Sequence, residues 1–253
     1  MMTANTSKGI TYPQSTDHTR LWEHMQTLAT TADAIIIGGV DRQIFTVNGT
    51  WTRPANALLV HVRVQAGGGG SGGCGATSAG QAACAPGGSG GEYAEGWLTP
   101  TATGASVAVT VGGGGNGGSA GANAGANGGN SSFGALITAV GGSGGSGATS
   151  TTSASTAASN GGTGGSGGDF RMAGGDGGNG QVVASTPLKF NNGGPSFLAN
   201  LRRATGVAAT STSGFDGYTY GGGASGPSLG ASQAAVAGSN GAPGVVIVTT
   251  YTA

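Results

Sequence analysis

Five runs dominated by glycine, 67–73 (GGGGSGG), 112–118 (GGGGNGG), 141–147 (GGSGGSG), 161–168 (GGTGGSGG) and 174–180 (GGDGGNG), restrict this chain to very few folds. In three of them the remaining side chains return every third residue: Ser143 and Ser146; Thr163, Ser166 and Asp169; Asp176 and Asn179. A left-handed extended helix of the polyproline II type has three residues per turn and no internal hydrogen bonds. Side chains then fall on one edge, and the other edges are bare backbone. Buried amides of such helices must be satisfied by neighbouring helices, and only glycine lets two backbones come that close.

The chain has 58 glycines and 8 prolines among 253 residues, a composition that also occurs in flexible, linker-like sequences. Punctuation argues for order. Ile44 to Val47, Leu58 to Val64, Val107 to Val111, Leu136 to Val140 and Val245 to Val248 are apolar, strand-like segments set between the glycine runs. Collagen is excluded, because the triplet period breaks every few residues. The expected fold is mainly β, with polyglycine helices of the polyproline II type packed in a glycine-rich bundle, after a short coiled-coil-like α-helix at the N-terminus. The expected organisation is an N-terminal segment over 1–37, a hinge over 38–43 and a glycine-rich domain over 44–253.

Ser15 or Asp17 is the expected N-cap of the helix. Leu21, Met25, Leu28, Ala32 and Ile35 follow at alternating spacings of four and three, a heptad seam of about two heptads. Such a seam packs either on the chain's own core or against identical subunits. The rest of the sequence offers little helical surface, which favours a short parallel bundle, with three copies expected. Asn48-Gly49, between two strand-like segments, predicts a tight hairpin. Leu59, His61 and Arg63 alternate with Leu58, Val60, Val62 and Val64, and Tyr93, Glu95 and Trp97 with Ala94, Gly96 and Leu98, so each strand has one face to bury.

Nine basic and nine acidic residues leave no net charge, so no electrostatic footprint for nucleic acid or an anionic membrane exists. No apolar run approaches the roughly 18 residues that span a bilayer, and Met1 to Pro13 lacks the apolar core of a secretory signal. Membrane insertion and nucleic-acid binding are not expected. Cys74 and Cys84 permit one disulfide or are two unpaired small residues; no metal site is expected. His18, His24 and His61 belong to no triad. Glu92 and Glu95, three apart on a strand, point to opposite faces, which favours solvated surface over an acid pair. No glycine run continues into a phosphate-loop Lys-Ser/Thr. Neither an enzyme nor a cofactor is expected.

Residues 187–220 stand apart. They hold five aromatic residues and three of the nine basic ones, including Lys189. A helical turn is compatible with Ser196 to Arg203. Residues 148–160 (ATSTTSASTAASN) form a patternless segment, expected to be exposed.

Several stretches resemble a known family. FTVNGTWTRPANALLVHVRVQAGGGGSGG (45–73), GGEYAEGWLTPTATGASVAVTVGGGG (90–115), NSSFGALITAVGGSGG (130–145) and GSNGAPGVVIVTTY (238–251) resemble the glycine-rich domain at the C-terminal ends of phage tail-fibre and minor tail proteins. TSKGITYPQSTDHTRLWEHMQTLAT (6–30) is similar to the opening segment of minor tail proteins from phages of actinobacteria. The resemblance implies a virion component, trimeric, held by other tail proteins at its N-terminus, with a distal domain that touches the host surface. Related adhesins use polyglycine helices as a rigid core beneath variable loops. LKFNNGGPSFLANLRR (188–203) departs from the family's usual glycine-rich text and marks where specificity would lie. Assembly in the host cytoplasm and release by lysis would require no export signal.

The function expected is receptor binding at a phage tail tip, with a surface glycan as ligand. Aromatic faces beside Arg and Asn supply what sugar recognition needs, so the candidate residues are Phe190, Asn191, Asn192, Phe197, Arg202, Arg203, Tyr218 and Tyr220. A structural spacer or decoration protein of the tail is the alternative, in which those rings only fill gaps in the scaffold.

Overall fold

A computed structural model of the chain describes residues 4–5, 11–12, 21–33, 38–205 and 210–253. The protein is mainly β. Its strands pair antiparallel throughout, and the two helices described, Leu21–Asp33 and Pro100–Thr103, are short.

Two sheets face each other across one core. The larger runs in the order Phe170–Met172, Tyr93–Leu98, Ala57–Gln65, Val245–Thr252, Gly39–Phe45. The smaller runs Ile137–Ala139, Ser131–Phe133, Ser106–Thr110, Gly49–Thr52. Alternation places Val60, Val62, Val64, Val246 and Val248 on the inner side of the larger sheet, where they meet Trp51, Phe133 and Ile137 of the smaller. Trp51 and Phe133 are fully buried and contact edge to face, with ring centroids 5.5 Å apart. Each such side chain contributes roughly 1.5–3 kcal/mol through burial. The remaining sheets are small: Ala154–Thr156 with Gly180–Val183 and Thr186–Pro187, Ser211–Thr212 with Ser228–Leu229 and Ala83–Cys84, and the N-terminal pair Ala4–Asn5 with Thr11–Tyr12.

Two expectations about the chain's entry into this sandwich are overturned. Residues 38–43 are no hinge, because Gly39–Phe45 is the edge strand of the larger sheet, paired along its length with Val245–Thr252. Asn48-Gly49 makes no hairpin either. The segments on its two sides belong to different sheets, and the Asn48 carboxamide oxygen instead accepts from the Val111 amide at 2.8 Å, tying the corner to the end of the Ser106–Thr110 strand.

The glycine runs lie mostly outside the strands, yet residues 65–74, 82–94 and 221–230 are buried throughout. Their amides are satisfied in a repeating way. Gly67, Gly70 and Gly73 donate to the carbonyls of Gly129, Ala126 and Asn123; Gly68, Ser71 and Cys74 to those of Ala242, Ser239 and Val236; Gly69 and Gly72 to those of Ser89 and Pro86. The carbonyls of Gly68 and Ser71 accept from Gly115 and Gly118, and those of Gly67 and Gly70 from Gly142 and Gly145. Every third residue therefore serves the same neighbouring segment. A Cβ on Gly69 or Gly72 would sit against the carbonyl of Ser143 or Ser146, closer than 3.0 Å. The run 161–168 does not share this conformation, since Gly164, Gly167 and Gly168 have φ of +89°, +70° and +82°.

The N-terminal helix exposes Met25 (61 %) and Leu28 (41 %), while Ala32 is half-buried. Leu21 begins the helix; Ile35, Ser15 and Asp17 lie outside the described residues. Cys74 and Cys84 form no disulfide. Both thiols are buried, Cys74 Sγ 3.4 Å from the Pro227 carbonyl and Cys84 Sγ 3.5 Å from Ser228 Oγ. Burial pushes the Cys74 thiol up to about 12 and raises that of Cys84. Glu92 and Glu95 do point to opposite faces, but Glu92 is not solvated. It is 3 % exposed, paired with Arg171 at 2.7 Å, and its other oxygen accepts from the amides of Val140 and Gly165.

Candidate functional site

The outer face of the larger sheet is unusually aromatic. Strand register lines up Trp97, His61 and Thr249 across it, and in the next row Leu59 and Tyr251. The rings of His61 and Trp97 stack at 4.2 Å between centroids, and Trp97 stacks on Tyr251 at 5.9 Å. Leu58, Leu59, Trp97 and Tyr251 enclose an open apolar cleft of about 440 Å³. His61 Nε2 lies 3.4 Å from a Glu95 oxygen, to which the Tyr93 hydroxyl also donates at 2.7 Å. Burial lowers the His61 pKa, against the opposing pull of Glu95. Burial likewise raises the Tyr93 phenol, reinforced by its bond to Glu95.

Tyr93 connects this face to the 187–220 segment. Phe197 stacks on it at 4.1 Å, and Phe170 meets both rings edge-on at about 6.5 Å. Ser196 to Arg203 is a closed loop rather than a helical turn: Gly193 and Arg202 exchange backbone hydrogen bonds, and Ser196 and Ala199 close the tip. Beyond the tip, the Arg202 guanidinium lies over the rings of Tyr218 (4.3 Å) and Phe215 (4.9 Å), and that of Arg203 lies over Phe215 at 4.6 Å. Leu198, Ala199, Asn200, Leu201, Tyr218 and Thr219 line an adjoining cleft of about 410 Å³.

The eight sequence-derived candidates therefore separate. Arg202, Arg203 and Tyr218 come together, and Phe197 sits on the neighbouring ring cluster. Phe190 is half-exposed but joins neither group. Asn192 is held by its backbone, its carbonyl accepting from Gly178. Tyr220 is partly buried, with its carbonyl accepting from the Ser196 hydroxyl. Asn191 is fully buried, donating to Thr205, Ser228 and the Gly226 carbonyl, so it is a structural clamp closed to any ligand. The residues 148–160 are only partly exposed, because Ala148 and Ser159 are buried and Thr151 bridges Ala82.

Sequence reasoning passed over Phe215, His61, Trp97 and Tyr251 as site residues. A signal for Trp97 was present, since it shares a strand face with Tyr93 and Glu95. Nothing local connects Trp97 with Tyr251, which lies on the far side of two strand pairings. Among the described residues no group of three His, Cys, Asp or Glu side chains could hold a metal ion, and no helix is long and apolar enough to cross a membrane.

The chain thus joins a mainly β sheet sandwich to cross-bonded glycine segments, with rings and guanidinium groups gathered at loops. The chain belongs to the family of the glycine-rich domain, whose model matches residues 45–251. Comparison with curated proteins finds no match.

Proposed function

We propose that this chain is a virion tail component that binds a host surface glycan. In this reading the glycine segments are polyglycine helices packed as a bundle, the three-residue recurrence of their hydrogen bonds being what that geometry requires. The bundle is a rigid base; the loop carrying Phe197, Arg202 and Arg203, with Phe215 and Tyr218, is the recognition surface. The observation that carries the proposal is the pair of guanidinium groups stacked on the half-buried Phe215 and the exposed Tyr218 beside an open cleft. Stacked aromatic and Arg groups recognise sugars through ring faces and in-plane donors at little cost in side-chain freedom.

The N-terminal helix supplies assembly. Its exposed Met25 and Leu28 are suited to a parallel bundle of three copies, attached to other tail proteins through residues 1–37. Sedimentation of Met25→Asp/Leu28→Asp should show smaller species than the parent; an unchanged oligomer removes the helix from assembly.

The binding proposal is tested with fluorescently labelled full-length protein on host and non-host cells. Parent protein should label host cells selectively, and Arg202→Ala and Tyr218→Ala should each reduce labelling while circular dichroism stays unchanged. Folded protein that ignores all cells would instead favour the spacer role, in which the rings only seal the scaffold.

A further inference from the structure

We infer that Arg202 and Arg203 form a site for an oxyanion, phosphate or carboxylate, carried on the surface polymer that the loop recognises. The inference rests on the receptor-binding reading and gives the ligand its charge.

Three observations converge on it. First, both guanidinium groups lie over one ring, Phe215, at 4.9 and 4.6 Å from its centroid, so the two positive charges are no farther apart than those two distances together. Like charges so placed repel, and a bound anion relieves the repulsion. Second, stacking uses only the faces of the guanidinium planes. Their N–H groups lie in the plane, five per arginine, in the fork geometry that suits carboxylate and phosphate. Neither side chain donates a hydrogen bond or makes an ion pair among the described residues, and Arg202 Nε is shielded from solvent without a partner. Third, no carboxylate among the described residues pairs with either side chain. Asp216, the acidic residue closest in sequence, has its Oδ1 accepting from the Asn240 amide at 2.8 Å. Residues 206–209 (GVAA) carry no acid.

Two other arginines show the contrast, whereas Arg63 Nε, like Arg202 Nε, is buried without a partner. Arg171 is paired with Glu92 at 2.7 Å and also donates to the carbonyls of Thr138 and Gly167, and Arg53 donates to the Pro100 carbonyl. Those arginines are structural, and their donors are used. Arg202 and Arg203 are fixed in position by rings, with their donors left over. Tyr218 belongs both to this cluster and to the adjoining cleft, so an anion on the guanidinium groups would sit beside space for a sugar ring.

The test titrates the full-length protein with three oligomers of matched length: a glycerol-phosphate oligomer, an oligogalacturonate and an uncharged dextran. Calorimetry at low and high salt is run alongside host-cell labelling. At least one charged oligomer should bind, dextran should not, and added salt should weaken binding. Arg203→Gln should weaken it about tenfold, as expected for losing a charged hydrogen bond, and Arg203→Lys should restore only part. The charged oligomer that binds more tightly identifies phosphate or carboxylate. Arg203 is exposed, so its variants test the site even where Arg202→Gln unfolds the loop. Dextran binding equal to that of the charged oligomers, no binding by either charged oligomer, or a folded Arg203→Gln that binds as the parent does overturns the inference. Host-cell labelling that ignores salt and Arg203 overturns it too, yet leaves the adhesin reading standing. Charged-oligomer binding without host labelling does the reverse.

Discussion

The sandwich and the glycine segments are both buried and both ordered by backbone hydrogen bonds, but they cohere for opposite reasons. In the sandwich, Val60, Val62, Trp51 and Phe133 fill the space between two sheets, and stability comes from apolar volume withdrawn from water. Around residues 67–73 there is almost no side chain to withdraw. Each amide instead finds a carbonyl on a neighbouring segment, at a separation that a single added methyl group would break. Removing atoms should therefore damage the first region, and adding them the second.

The largest effect is expected from Gly69→Val. Its Cβ meets the backbone of Ser143 and Gly144 rather than a movable side chain, so the 67–73 and 141–147 segments must part. The loss should exceed about 5 kcal/mol, enough to leave no folded protein. Gly113→Ala is the control, because a Cβ there meets nothing within 4 Å, and denaturant unfolding should place it within about 0.5 kcal/mol of the parent. Equal behaviour of the two variants would erase the proposed distinction.

Trp51→Ala tests the other region by deletion and should cost about 3–5 kcal/mol in the same unfolding assay. A loss below about 1 kcal/mol would mean that the sandwich core is not the cohesive unit described.

A smaller effect is expected from pH. Burial depresses the His61 pKa, so the folded state binds fewer protons than the unfolded state just below the ordinary value of 6.5. The resulting stability is complete above 6.5 and is lost as pH falls from there through the depressed value. His61→Gln should flatten that part of the melting-temperature profile. An unchanged profile would assign the pH response to other groups.

The smallest effect concerns a turn. Val183 pairs with Thr186, leaving Ala184 and Ser185 as a two-residue loop with φ of +46° and +62°. That is the geometry Asn-Gly favours. Ala184→Asn/Ser185→Gly should raise the melting temperature by a few degrees, about 1 kcal/mol; a decrease would contradict the assigned turn.

That turn also shows where the sequence was and was not legible. The chain writes Asn-Gly at 48–49, where it passes between sheets, and Ala-Ser where a tight hairpin forms, because long-range pairing outweighs local preference at both places. The alternation of Val60, Val62 and Val64 was readable, since burial on one face leaves a period of two. The hinge expected at 38–43 is a strand because its partner is the far end of the chain, which no local pattern announces. The spacing in 161–168 matched that of other runs, but positive φ values at three of its glycines take it elsewhere. In the 187–220 segment, composition pointed to Arg202, Arg203 and Tyr218. It could not separate them from Asn191, whose role depends on Thr205 and Ser228 closing around it.

The central claim is that the glycine segments are a hydrogen-bonded core, as firm as the sandwich. Amide hydrogen exchange, read residue by residue, tests it most directly. The account predicts that Gly67 to Gly73 exchange as slowly as Val60 to Val64, only through unfolding of the whole domain. Glycine amides that exchange at the rate of an unstructured chain, while the valine strand stays protected, would contradict it.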